Sequence, residues 1–403
     1  MKKIFLSTFL GFAASLFAAE PVFFRENPEK YWDIDLLKIK PEYREAGFPD
    51  SKFEGLQSLL IKGFGPQKGD KKLNAHSPTP LSQKVRADFF ALMGFPEGPV
   101  PKGGFPAVVL IHGGGGTAYP QYARHWISKG YAVIILDWYN QRSLVNPNPS
   151  ETKVKRAPLD GGNRQDHVSN VANMILAHSV LRSQPNVNPD RTAFVGLSWG
   201  SWYGAMVASI DNRFKGGIEI YCGDVRKRSK NSFINGRFHH AAKIPLYWVV
   251  STNDQNMTVA TISAAFRECP KTYNRSIVIR LPHSHVGFLF DSCQRMASHF
   301  LNGTVNLPKL SDIKVSDGIA SAEILEQGKG IKYAVLCYTD STDKTYHKRL
   351  WQQIPAEIKG KTVSAKIPAN AHSFYLSVYD EEAKYKDLCG STDVITEYSA
   401  AKK

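Results

Sequence analysis

The chain lacks the signals that would place it in a metal, nucleotide, nucleic-acid or membrane class. None of its five cysteines forms a C-x-x-C pair, so a zinc ribbon or a thioredoxin-type site has no support. A glycine run at 113–116 is not followed by Lys and Ser/Thr, which removes a phosphate-binding P-loop. No RNA- or DNA-binding motif and no basic–aromatic array occurs, so nucleic acid is not an expected partner. Beyond the first 17 residues no segment is long and apolar enough to span a bilayer, and stable membrane insertion is not expected. Internal repeats and low-complexity tracts are missing, and no motif calls for a cofactor. What remains is a 403-residue chain with enough apolar residues for a full core, and room for about two domains.

The N-terminus carries a specific signal. Met1-Lys2-Lys3 precedes an apolar stretch from Ile4 to Phe17, and Ala18-Ala19 supply small residues for cleavage. This pattern reads as a secretory signal peptide over residues 1–19, which places the protein in the periplasm or outside the cell. An uncleaved membrane anchor is the alternative. No cysteine lies near the expected cut, which argues against a lipoprotein. The net charge of +15 would suit an anionic polysaccharide or a membrane surface. An oxidising compartment makes Cys269 with Cys293, and Cys337 with Cys389, candidate disulfides, with Cys222 left free and buried.

Short apolar runs alternate with helical periods through the middle of the chain. Strands are expected at 55–61, 85–91, 107–111, 132–136, 192–195, 217–221, 246–250 and 276–281. Helices are expected at 119–129, 166–183, after Ser198 through Ile210, and at 259–269 and 287–301. This alternation predicts a mostly parallel sheet covered on both faces. After Gly303 the helical period disappears, and 332–338, 362–367 and 373–379 read as strands of a small β-sandwich-like domain. The expected division is 20–305 for an α/β domain with an N-terminal extension, and 310–403 for the β domain.

The chemistry centres on Gly196-Leu197-Ser198-Trp199-Gly200, a G-x-S-x-G pattern at a strand-to-helix junction. Such a turn exposes a serine hydroxyl above a sheet, and makes Ser198 a candidate nucleophile. The other reading is a turn that merely ends a strand. Upstream, His112-Gly113-Gly114-Gly115-Gly116 follows the 107–111 strand, where side-chain-free backbone N–H groups would face a developing oxyanion. Gly114 or Gly115, together with Trp199, are the expected donors. Downstream, Asp254 ends the 246–250 strand as the candidate acid. It would alternatively cap the helix near Met257, and Asp224 competes for the role. His283 and His285 follow the last strand of the α/β region. His285 is favoured as the base because it leads directly into the closing helix, with His283 then a neighbouring or alternative base. A His-x-His metal pair is the other option, but no third ligand stands out and no metal is expected. The order Ser198, Asp254, His285 at successive strand ends is that of an α/β-hydrolase fold, and fits two-step acyl transfer.

The segments His112–Ala118, 191–200, Asp211-Asn212-Arg213-Phe214-Lys215, Thr252-Asn253-Asp254 and Leu281-Pro282-His283-Ser284-His285 together resemble a group of exported bacterial serine hydrolases. That group is related to acetylxylan esterases and dienelactone-hydrolase-like proteins. The resemblance covers roughly 85–303 and extends towards Trp351–Ala356 and Phe374. It implies hydrolysis of a carboxylic ester, with acylated carbohydrate as the expected substrate and Ser198, Asp254 and His285 as the triad. Ser201 stands where the group usually has glycine, and residue 198 is serine where true dienelactone hydrolases use cysteine.

Two basic stretches, 141–164 with Arg142, Lys153, Lys155, Arg156 and Arg164, and 224–243 with Arg226, Lys227, Arg228, Lys230 and Arg237, follow strand ends. They suggest an anionic acylated small molecule or glycan as substrate, against a merely solvated basic surface. Trp138, Tyr139, Trp199 and Trp202 offer either a sugar-stacking platform or core packing. Two other functions fit less well. A prolyl-oligopeptidase-like serine peptidase would need a large N-terminal domain that the chain has no room for. A non-catalytic glycan-binding protein on a hydrolase scaffold would not need an intact Ser, acid, His and glycine loop.

Overall fold

The computed structural model describes residues 25–46, 53–66, 79–138, 166–223 and 235–398. The expected signal peptide and most of both basic stretches lie outside the described residues. Nine strands form the principal sheet: β1 (Tyr43–Glu45), β2 (Gln57–Gly65), β3 (Val85–Gly94), β4 (Phe105–Ile111), β5 (Ala132–Leu136), β6 (Val187–Leu197), β7 (Gly216–Ile220), β8 (Leu246–Ser251) and β9 (Thr272–Val278). Their spatial order is β1-β2-β3-β5-β4-β6-β7-β8-β9. Strands β1, β2, β3 and β5 pair antiparallel, and from β5 to β9 all pairs are parallel.

The parallel half is buried on both faces, which is why β4, β5 and β8 read as unbroken apolar runs. On one face lie α2 (His167–Arg182), α3 (Trp199–Ile210) and α4 (Val259–Glu268), packed through Val171, Ile175, Met206 and Ile262. On the other lie α1 (Pro120–Ser128) and α5 (Asp291–Asn302), packed through Ala123, Trp126, Cys293 and Met296. Local chemistry sets the helix ends. Asp166 and Thr258 cap α2 and α4 with their side chains, Pro120 opens α1, and Gly303 stops α5 with φ 66°. The expected helix at 287–301 is in fact two pieces, a 3-10 helix over His285–Leu289 and then α5, because Phe290 is extended between them. The last strand starts earlier than expected, at Thr272 in register with Leu246, and ends before Arg280, which has φ 55°.

Two antiparallel sheets follow. The first orders β10 (Lys309–Leu310), β12 (Ile319–Glu326), β16 (Thr362–Lys366) and β15 (Glu357–Lys359), with β11 (Lys314–Ser316) also paired to β12. The second orders β14 (Gln352–Pro355), β13 (Tyr333–Thr339), β17 (Ser373–Tyr379) and β18 (Cys389–Ser391). Ala320, Ile324, Val363, Leu336, Phe374 and Leu376 fill the space between them. Strand β12 alternates buried with exposed residues because only its inner face is covered, whereas every residue of β17 is buried. The other face of β17 lies against β9: the Tyr375 hydroxyl donates to the Ile277 carbonyl (3.2 Å) and Ile277 N–H donates to Ser391 Oγ (3.0 Å). The β9 edge of the principal sheet is therefore covered rather than left open for pairing with another chain.

All five cysteines are free and buried, which corrects both expected disulfides. Cys269 packs into the core on one face of the principal sheet and Cys293 into the core on the other. Cys337 and Cys389 sit on strands that flank β17, opposite Tyr375 and Tyr379 respectively. Two strand spacings alone separate them by roughly 10 Å, and the four-residue offset between Tyr375 and Tyr379 adds to this, beyond the reach of an S–S bridge. Burial pushes the Cys389 thiol up to about 12. One further buried group stands out: Glu219 on β7 lies under α3, where the missing side chain of Gly204 leaves room for it. Neither of its carboxyl oxygens has a hydrogen-bond partner among the described residues, and burial pushes its pKa well up. No helix among the described residues is long and apolar enough to cross a membrane.

Candidate active site

Ser198 is the single residue between β6 and α3. Its φ of 55° and ψ of −115° place it in a region that costs a non-glycine residue about 1–3 kcal/mol. The surroundings hold it there. Its N–H donates to the Ile220 carbonyl (2.8 Å), and its carbonyl accepts from Trp202 N–H (2.9 Å) and the Ser201 hydroxyl (2.7 Å). Ser201 thus reinforces the turn. The two glycines of the pattern are steric requirements: a Cβ at Gly196 would sit 2.6 Å from the Gly200 carbonyl oxygen, and one at Gly200 would overlap the carbonyl of Ile111. Ser198 occupies the N-cap position of α3, yet its hydroxyl does not cap the helix.

Instead the hydroxyl donates to His283 Nε2 at 2.9 Å. His283 Nδ1–H donates in turn to Asp254 Oδ2 at 2.6 Å. Asp254 lies just past β8, and its side chain is fully buried, while the His283 side chain is 22% exposed. Asp254 does not cap a helix, since α4 starts at Val259 with Thr258 as its cap; its Oδ1 instead accepts from Asn256 N–H (2.7 Å) and Met257 N–H (3.1 Å) in a local turn, leaving Oδ2 for the imidazole. The His283 ring stacks on Tyr221, with centroids 4.5 Å apart. Tyr221 directly follows β7 at φ 55°, and its hydroxyl donates to the Pro282 carbonyl (2.5 Å), so it holds the histidine loop at two points. Burial pushes the Tyr221 hydroxyl strongly up, which keeps it a neutral donor. Sequence reasoning missed Tyr221. Its only signal was an aromatic residue directly after a strand of the parallel sheet.

The expectation that His285 is the base is corrected by this geometry. Two residues beyond His283 the chain enters the 3-10 helix, and that turn carries the His285 ring away from Asp254 to the glycine loop. There its Nε2 accepts from Gly113 N–H (3.1 Å), and its ring lies edge-on to Tyr119, with centroids 4.8 Å apart. Gly116 N–H is used within the loop, on the Gly113 carbonyl (3.1 Å). Gly114 and Gly115 have no N–H hydrogen bond among the described residues; Gly114 is exposed and Gly115, at φ 69°, is half-buried. A Cβ at Gly114 would lie 2.5 Å from the Trp199 ring, so the loop passes as close to the start of α3 as a backbone can. The structure therefore brings Gly114 and Trp199 together beside Ser198.

Aromatic residues wall one side of the nucleophile. Trp138 is buried against His112, with centroids 5.0 Å apart, and donates through Nε1 to the His112 carbonyl (2.8 Å). Trp202 is buried edge-on to Trp199 at 4.6 Å, and Trp199 alone of the three is half-exposed. Tyr139, Asp224, and the basic residues of 141–164 and 226–230 lie outside the described residues. The arrangement is a hydroxyl, an imidazole and a buried carboxylate in hydrogen-bonded series, with unused backbone N–H groups of a glycine loop alongside. Chemically it can move a proton from Ser198 to His283 while Asp254 stabilises the imidazolium formed.

A family model described as the dienelactone hydrolase family matches residues 89–292, about half of the chain. No curated protein matches the chain in sequence. Solved structures similar to it include an acetyl xylan esterase from Paenibacillus sp. R4, at 16% identity over 70% of this chain and 97% of that one, with a TM-score of 0.47. Acetyl xylan esterase 1 from Thermoanaerobacterium sp. JW/SL YS485 shares 17% identity over 68% of this chain and 94% of that one, with a TM-score of 0.42. The esterase Pf2001 of Pyrococcus furiosus shares 12% over 65% and 98%, with a TM-score of 0.42.

Proposed function

The chain belongs to the dienelactone hydrolase family and has the α/β-hydrolase fold of an ester hydrolase; on that premise we propose that it is an exported serine esterase that removes acetyl or similar small acyl groups from carbohydrate. The observation that carries this reading is the hydrogen-bonded series from Ser198 through His283 to Asp254, at a strained serine that caps nothing. Ser198 Oγ attacks the ester carbonyl as His283 Nε2 takes its proton. The carbonyl oxygen becomes an oxyanion facing the Trp199 and Gly114 N–H groups, with Gly115 next in the loop. His283 then gives the proton to the departing alcohol oxygen, leaving Ser198 acylated. Water attacks the acyl-enzyme with His283 again as base, and the acid leaves as Ser198 recovers its proton. The half-exposed Trp199 ring beside the nucleophile suits a sugar face, and a signal peptide at 1–19 suits export.

The test is covalent labelling with a fluorophosphonate probe, followed by a substrate panel. Ser198 is expected to be labelled in the wild type, and Ser198→Ala to be unlabelled and inactive on p-nitrophenyl acetate. Acetylated xylan or a related acetylated glycan is expected to be turned over faster than feruloyl or peptide substrates. Labelling at another residue, or none, would remove the serine-esterase reading. Preference for a peptide would keep the nucleophile and remove the substrate.

A further inference from the structure

The residue before the candidate acid is bonded to a distant part of the chain. Asn253 Nδ2 donates to two carbonyls of the C-terminal β region, His347 at 2.9 Å and Arg349 at 2.8 Å. Its Oδ1 accepts from the Thr252 hydroxyl (2.7 Å) and its N–H donates to Ser251 Oγ (3.2 Å), so every polar group of the side chain is engaged. The two carbonyls are presented by an ordered turn. Thr345 N–H donates to Asp343 Oδ1 (2.7 Å), Arg349 Nε donates to the Asp343 carbonyl (2.8 Å), and the buried Arg349 guanidinium lies 4.2 Å over the Tyr346 ring. The turn sits at the end of the principal sheet where the acid and histidine loops emerge. The same β region grips β9, which leads to His283, through Tyr375 and Ser391. Both loops that deliver protons and charge to Ser198 are thus tied, one strand apart, to the C-terminal sheets.

We propose that Asn253 is a positioning residue, through which the C-terminal β sheets hold Asp254 in line with His283. This rests on the reading of Ser198, His283 and Asp254 as the reacting series. Asp254 Oδ1 is held by its own turn, but Asn253 is the residue directly before that turn, and a small shift there moves Oδ2 relative to His283 Nδ1. The β sheets then serve the reaction itself by completing the acid loop.

The test is Asn253→Ala in the full chain, assayed on p-nitrophenyl acetate. The expected result is a loss of about 10- to 100-fold in kcat with KM little changed, because alignment and not substrate contact is removed. In an Asp254→Asn background the same substitution is expected to add nothing, since it acts through the carboxylate. Ser263→Ala removes another bond between the same two parts, to Val394 (3.2 Å) and Asp393, and is expected to lower the melting temperature without changing kcat. Should Asn253→Ala fail to fold, Asn253→Ser retains one donor and supports the same cycle. A kcat within about twofold of wild type, or losses that multiply in the double variant, would overturn the proposal. Fluorophosphonate labelling of the wild type separates the two ideas. A labelled wild type with an unaffected Asn253→Ala ends the positioning role alone, whereas an unlabelled wild type ends the esterase reading with it.

Discussion

Among the described residues two Asp–His–hydroxyl series can be compared, and they differ in one respect that matters. In the first, Asp254 and His283 reach Ser198. In the second, His178 Nδ1–H donates to Asp211 Oδ2 (2.8 Å) and its Nε2 lies 2.8 Å from Thr192 Oγ1. The second is wholly buried, with the imidazole stacked on Phe214 at 3.5 Å. Its carboxylate is also matched by a cation: Arg213 Nε and Nη2 donate to the two Asp211 oxygens at 2.8 and 2.7 Å. Burial pushes His178 down to about 4 despite the pull of Asp211, so this imidazole is neutral at pH 7. Burial alone would raise Asp211, but His178 and Arg213 outweigh it and hold the carboxyl well below its usual range. Asp254, by contrast, has His283 as its one ion-pair partner among the described residues. An acid whose charge is already matched by a guanidinium has little left for an imidazolium. An acid with two backbone N–H bonds and no cation keeps its charge for the moment His283 is protonated.

The largest effect that separates the series is catalytic. His283→Ala is expected to cost on the order of a million-fold in kcat, as for removal of a triad histidine. His285→Ala loosens only the glycine loop and is expected to cost about 10- to 100-fold. Kinetics of the two variants on one ester decide between them, and equal losses would return His285 to the reacting series.

The next effect falls on stability. His178→Ala removes a buried neutral imidazole and strands its hydrogen-bond partners Asp211 and Thr192; it is expected to cost about 1–3 kcal/mol for each stranded group, read by urea unfolding, with kcat unchanged below the transition. A fall in kcat in the folded variant would show that the two series are not independent.

The smallest effect sharpens the electrostatic side. Glu219 is buried without even the partners that Asp211 has. Its folded pKa is raised above the unfolded value near 4.5, so the folded state keeps a proton that the unfolded state has lost. The stability tied to that proton is fully present below pH 4.5 and is lost as pH rises towards the folded pKa, at about 1.4 kcal/mol per pH unit. Glu219→Gln removes this dependence. Its unfolding free energy relative to wild type is expected to grow with pH above 4.5, and a pH-independent difference would sink the idea.

What was legible in the sequence was contiguous. Gly196 to Gly200 and the 112–116 loop could be read because a tight turn and a close backbone approach need particular residues side by side. Asp254 was legible as a carboxylate at a buried strand's end. The choice between His283 and His285 was not, because both lie within three residues and both face the site. It is settled by where Tyr221 and the 3-10 helix put the ring, and those depend on partners 61 residues upstream. Cysteine spacing misled for a related reason, since the spacing does not say which face of a sheet each thiol enters. The Asp211-Asn212-Arg213 segment was noted as a motif, but its partner His178 lies 33 residues earlier with no pattern linking the two.

The bonds from Asn253 close loops of 94 and 96 residues, and the bond from Ile277 to Ser391 closes one of 114. Contacts of such separation are the slow ones in folding, because chain entropy is lost before they reward it. The parallel sheet and its nucleophile turn are built from nearer neighbours and are made first on the ribosome. On the proposed role of Asn253, chemical competence would come late, as a property of the finished chain and not of its first three hundred residues.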